Sequence, residues 1–310
     1  MKPSNYAISL FDLKSGEPWT YQGTVDIDLE VKNATKSIVL NTHELKLHSA
    51  SIATDSGKHS SSVKASDISY DTKNQRCTIT FDQELPQSPK AVLSITFEGV
   101  LNNHMSGFYR SKYQPKGEAS KGVARDDENH YMFSTQFESS DARTAFPCFD
   151  EPNLKASFDF EMEIPDDLTA LSNMPEKETR KGKNDGHKIV SFERSPVMST
   201  YLLAWAFGDF EYIEDFTRRK YNGKSLPVRV YTTKGMKEQG RLALDSAHQV
   251  IDYFSEVFQI DYPLPKADLL AVHEFVSLLW STPSPSKELM GGIGHHESPI
   301  THLAWLNNMS

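Results

Sequence analysis

Gln136 and Glu138 stand either side of Phe137 in "TQFESSDARTAFPCFDEP", and in an extended chain their side chains face the same way. An amide oxygen and a carboxylate so placed both accept hydrogen bonds from a charged donor, and the carboxylate adds its charge. The same spacing describes an ordinary solvated strand face, so residue types alone leave both readings open. His273-Glu274 forms a second candidate, because it reads as the opening of a zinc-binding helix. Such a helix needs a second histidine at i+4 to bring two imidazoles onto one face, and Phe275, Val276 and Ser277 follow instead. No metal site is expected there.

The remaining polar clusters read as structure. His295, His296 and Glu297 are adjacent, so their side chains diverge, and "GGIGHHESP" lacks the lysine of a phosphate loop. Asp141 and Arg143 are expected to brace a turn through a salt bridge. Cys148 is expected to act as a small buried hydrophobe, and Asp150-Glu151, just before Pro152, to be structural. No serine or cysteine has a histidine at a supporting spacing. The chain therefore offers no catalytic residue and no metal ligand, and leaves Gln136 and Glu138 as its substrate-binding candidates.

Stepwise alternation supplies the elements that must hold this pair. In "GTVDIDLEV", Val25, Ile27, Leu29 and Val31 alternate with acidic residues, the period of a strand with one wet face. The pattern recurs at Cys77, Ile79 and Phe81, at Leu93, Ile95 and Phe97, and at Phe158, Phe160, Met162 and Ile164. "SIVLNTHELKL" and "TYLLAWAF" add apolar extended segments. Many short strands without helical patterns between them predict a mainly β, antiparallel sandwich or saddle over residues 1–213. After the strand "VRVYTT", the period changes. Ala243, Ala247, Val250, Ile251, Phe254, Val257 and Phe258 predict one apolar face of a helix that Pro263 and Pro265 terminate.

Composition narrows the function classes. A formal net charge of −9, spread without long single-sign runs, disfavours nucleic acid as a partner. No run is long and apolar enough for a membrane span. With only Cys77 and Cys148 and no leader-like apolar stretch at the N-terminus, the cytoplasm is the expected location.

"TQFESSDARTAFPCFDEPNLKASFDF", "PVMSTYLLAWAFGDFEYIE", "VRVYTTKGMKEQGRLALD" and "YFSEVFQIDYPLPKADLLAV", in that order, resemble the N-terminal portion of the puromycin-sensitive and alanyl type of zinc aminopeptidase, a gluzincin metallopeptidase family. The resemblance covers roughly residues 2–275. It implies a saddle-like β domain, with residues 214–275 beginning a thermolysin-like α/β catalytic domain. It also implies peptide substrates held by a free N-terminus, with Gln136 lining the first specificity pocket and Glu138 assisting. In the full-length family, zinc on a His-Glu-x-x-His helix activates water, and a Gly-x-Met-Glu-Asn loop precedes that helix. This sequence contains neither motif. The expectation is a chain without zinc, inactive as it stands; the alternative is a non-catalytic β-sandwich that binds peptide N-termini or another protein.

The segment 276–310 differs from everything before it. Its charged side chains are Lys287, Glu288 and Glu297, and it has no strand or helix period. It is expected to be a disordered, non-family tail. Val276-Ser277 is encodable as a splice-donor sequence, so a translated intron is the expected origin. A genomic sequence without a donor after the Phe275 codon contradicts that origin.

Overall fold

The computed structural model describes residues 1–14, 16–55, 60–114, 130–273 and the backbone of 303–305. Along the chain run β1 (Lys2–Phe11), β2 (Thr20–Val31), β3 (Thr35–Asn41), β4 (Lys46–Asp55), β5 (Ser60–Lys64), β6 (Asp67–Asp71), β7 (Arg76–Leu85), β8 (Ser88–Val100) and β9 (Gly107–Tyr113). There follow β10 (His130–Gln136), β11 (Ser157–Pro165), β12 (Thr169–Ser172), β13 (Glu176–Lys181), β14 (His187–Phe192), β15 (Trp205–Gly208), β16 (Phe210–Tyr221) and β17 (Lys224–Thr233). Helix α1 (Arg241–Phe258) separates β17 from β18 (Ala267–Ala271), and β19 (Leu303–Trp305) comes last.

Alternation in the sequence becomes burial in the fold. In β2, Tyr21, Val25, Ile27, Leu29 and Val31 are buried while Asp26 and Asp28 are exposed, and the inward residues of β7, β8 and β11 follow the same rule. The strands form an eight-stranded sheet of order β13-β14-β11-β1-β2-β8-β4-β5, a three-stranded sheet β3-β7-β6 and a four-stranded sheet β12-β15-β10-β9. Pairing in these three sheets is antiparallel except between β1 and β11, which run parallel. The chain is thus mainly β. Several strands exceed the short lengths expected, β8 reaching 13 residues.

One aromatic cluster fills the space between the sheets around Trp205, which is 0% exposed. Phe108, Phe137 and Phe146 approach its ring edge-on or tilted at 5.5, 5.1 and 6.2 Å, and Phe160 stacks on it at 4.6 Å. Edge and offset contacts of this kind add to the area each ring removes from water. "TYLLAWAF" is not extended throughout: Thr200–Leu202 is a 3-10 turn, and the strand begins at Trp205.

At Asp209 the chain passes from β15 to β16 and so into a fourth sheet, β16-β17-β18-β19. β17 and β18 are parallel, which requires a crossover, and α1 provides it. Three residues of the 276–310 segment, those of β19, pair antiparallel with β18; the rest of that segment lies outside the described residues.

The helix departs from expectation in two ways. Its end is set by Gln259, which takes a left-handed conformation (φ 53) at the C-cap, and the prolines come afterwards. Its apolar residues do not share one buried face: Leu244, Ala247 and Ile251 are buried against the sheet, whereas Val250, Tyr253, Phe254, Val257 and Phe258 are exposed. The apolar arc is wider than the sheet beneath it.

Candidate functional site

β10 carries Gln136 to the end of the four-stranded sheet. Its register against β9 pairs Gln136 with Gly107, and Thr135 fixes the strand end by donating to the Trp205 carbonyl at 3.2 Å and accepting from the Trp205 N–H at 3.0 Å. Phe137 then turns into the aromatic cluster and is 2% exposed. Gln136, the last residue of the strand, is half-buried, and Glu138, in the turn beyond it, is exposed. Neither side chain has a hydrogen-bond partner among the described residues. The position opposite Gln136 requires glycine, because Gly107 takes a φ of +69 and the Thr144 hydroxyl fills the space a Cβ would need.

The turn after this pair is braced, though by a different partner from the one expected. Arg143 pairs with Asp150 rather than Asp141: its Nε lies 2.9 Å from Asp150 Oδ2, and its Nη1 donates to Gln75 Oε1 at 3.3 Å. Asp150 also receives order through its backbone N–H, which donates to Asn41 Oδ1 at 3.1 Å. Asp150 is thereby structural, and Cys148 is fully buried with burial pushing its thiol well up.

Burial likewise pushes the Asp150 carboxyl above its ordinary value, and the hydrogen bond and charge of Arg143 offset this in part. A raised folded-state value means that the carboxylate's share of stability is full below the unfolded value and is lost as pH rises through the folded one. Arg143→Ala removes the offsetting charge and is expected to cost about 3–5 kcal/mol at neutral pH. The deficit is expected to shrink on acidification toward about pH 4, which urea titrations at both pH values check.

His273 lies elsewhere. Its ring stacks on Tyr113 at 5.0 Å and 8°, and its Nε2 is 2.9 Å from Thr233 Oγ1. Tyr113 and Gly107 are opposite ends of β9, so His273 and Gln136 are about 20 Å apart along the strand direction. The imidazole is engaged by Thr233 and Tyr113, a ring that His130 also approaches at 5.7 Å, and Glu274 lies outside the described residues. A cavity of about 650 Å³ between the loop Pro196–Met198 and the C-terminal end of α1 is lined by neither Gln136 nor Glu138.

Two features of the junction between the sheets were not apparent from residue types. Tyr109, Tyr113, Met132, Leu171 and Ala206 of the four-stranded sheet pack on Phe210, Tyr231 and Leu270 of the fourth. At its edge the buried Lys266 ammonium donates to the Ser172 carbonyl of β12 at 2.8 Å and is paired with the buried Asp268 carboxylate. A lysine and an aspartate two apart in "PKADLLAV" share one strand face, and that was the available signal.

Comparison with known proteins converges on one family. The Peptidase M1 N-terminal domain matches residues 2–202. Aminopeptidase M1 of Arabidopsis thaliana is 40% identical over 83% of this chain and 27% of its own length. Puromycin-sensitive aminopeptidase of Caenorhabditis elegans is 40% identical over 88% of this chain and 27% of its own. Alanine/arginine aminopeptidase of Saccharomyces cerevisiae is 39% identical over 83% and 28%. The chain thus spans somewhat over a quarter of the length of these relatives. Matched through its β sheets and through the strand that presents Gln136, it belongs to the M1 peptidase family, as a piece corresponding to the N-terminal part of zinc-dependent aminopeptidases.

Proposed function

We propose that this chain is the front segment of a cytoplasmic aminopeptidase that releases N-terminal amino acids from peptides, and that Gln136 and Glu138 receive the substrate's α-ammonium. In this reading residues 1–213 are the β domain and 214–275 open the catalytic domain. The supporting observation is the pair itself, two acceptors flanking a buried Phe137, with Gln136 paired opposite Gly107 and neither side chain hydrogen-bonded among the described residues. Three ammonium donors meet an amide oxygen and a carboxylate, and the carboxylate makes the stronger, charge-assisted bond.

Zinc belongs to the whole family protein and supplies water activation there. The function proposed for Gln136 and Glu138 is recognition of a peptide terminus. Glu138→Ala is expected to weaken binding of a free-amine peptide by about 10- to 100-fold and Gln136→Ala by up to about tenfold, as befits a charged and a neutral acceptor. An N-acetylated peptide should bind weakly to all three proteins. Equal affinity of wild type for the free and acetylated peptides, by competition titration, contradicts the assignment.

A further inference from the structure

Asp215 on β16 and Asp245 and His248 on α1 bring two carboxylates and an imidazole together, with one ligand atom from each lying within 4.8 Å of the other two. Both aspartates are exposed, while the His248 side chain is only 9% exposed. That imidazole is unsatisfied. Its Nδ1 is buried without a hydrogen-bond partner, and its Nε2 stops 3.7 Å from Asp215 Oδ2, too far for a hydrogen bond. Buried polar atoms are nearly always paired, and this ring has Nδ1 orphaned and Nε2 turned toward Asp215 without a hydrogen bond, in a cluster whose two carboxylates supply oxygen donors.

We infer that Asp215, Asp245 and His248 form a site for a divalent transition-metal ion such as zinc, tying the first strand of the fourth sheet to α1. One imidazole and two carboxylates suit zinc or its first-row neighbours better than calcium or magnesium, which take oxygen alone. Donors on a shared zinc ion stand about 2.1 Å from it and therefore about 3–3.5 Å from one another. Closing from the observed spacing asks the side chains to move by about an ångström. The exposed aspartates have room to make that movement, and the helix backbone already holds Asp245 and His248 at i and i+3 on neighbouring positions. The inference rests on this sheet and helix alone and is independent of the peptide site.

The test uses the complete 310-residue chain, stripped of metal by a chelator and titrated with zinc chloride calorimetrically, then with cobalt(II) followed by visible absorption. One equivalent is expected to bind, with a rise in melting temperature. Asp215→Asn, at an exposed position that leaves the core untouched, should weaken binding about tenfold or more, and His248→Gln should abolish the cobalt spectrum. The double variant His295→Gln/His296→Gln should bind as wild type does. Absence of saturable binding, binding unchanged in Asp215→Asn, or loss of that equivalent in the 295/296 variant overturns the inference.

Discussion

Lys266→Ala is expected to cost about 3–5 kcal/mol, because it leaves the Asp268 carboxylate buried without its cation. Asp268 is 1% exposed, and its Oδ1 already has no hydrogen-bond partner, so the lysine is its main compensation. Burial lowers the lysine's own pKa and the Asp268 charge only partly restores it, which marks the ammonium as costly to bury. Replacing both members is therefore a different experiment from replacing one. Lys266→Met combined with Asp268→Leu removes both charges and should regain most of the lost stability, since apolar pairs of similar volume commonly equal or exceed a buried ion pair. Urea denaturation followed by circular dichroism distinguishes the cases. A single variant as stable as wild type would mean that the pair does not hold the two sheets together.

A second large effect concerns the outer face of α1. Tyr253, Val257 and Phe258 are 61%, 53% and 65% exposed, and Ile260 and Val197 extend the same apolar surface toward the cavity beside it. Contiguous apolar surface on this scale is unusual on a monomer and drives association. The 310-residue chain is expected to elute as oligomers or aggregates in size-exclusion chromatography with light scattering. Tyr253→Lys, Val257→Lys and Phe258→Lys together should return it to a monomer without loss of fold, because these positions touch no core and lysine is a good helix former. A fragment ending at residue 213 is a poor control: it cuts β16 and removes Tyr231 and Leu270, which pack with Tyr109, Tyr113 and Met132. Monomeric wild-type chain at tens of micromolar would count against the exposed face as the cause.

Where one face of a strand is dry and the other wet, the fold was legible. β2, β7, β8 and β11 follow from alternation because each buries every second residue. β1 was missed although Tyr6, Ile8 and Leu10 alternate, and nothing local announces that it pairs in parallel with β11, some 150 residues away. β16 was hidden for another reason: Glu211, Glu214, Asp215, Arg218 and Arg219 put charge on both sides of the strand, and a register shift between Phe216 and Lys220 breaks the period. In α1 the apolar positions were visible, but which of them the sheet covers depends on the tertiary neighbour. The same holds for charge partners, since Arg143 reaches Asp150 across a folded turn rather than the closer Asp141. Gln136 and Glu138 could be read as an acceptor pair from spacing, whereas the burial of Phe137 and the pairing of Gln136 with Gly107 belong to the folded chain.

Where a free peptide N-terminus lands on this chain is the most direct question. Isotope-labelled protein carrying the three lysine substitutions on α1, titrated with a short alanyl peptide and observed by NMR, locates it. Shifts concentrated at the amides of Thr135–Ser139 and Gly107, absent with the N-acetylated peptide, are the predicted result. Shifts centred on the cavity between Pro196–Met198 and α1, or identical responses to the free and acetylated peptides, would contradict recognition by Gln136 and Glu138.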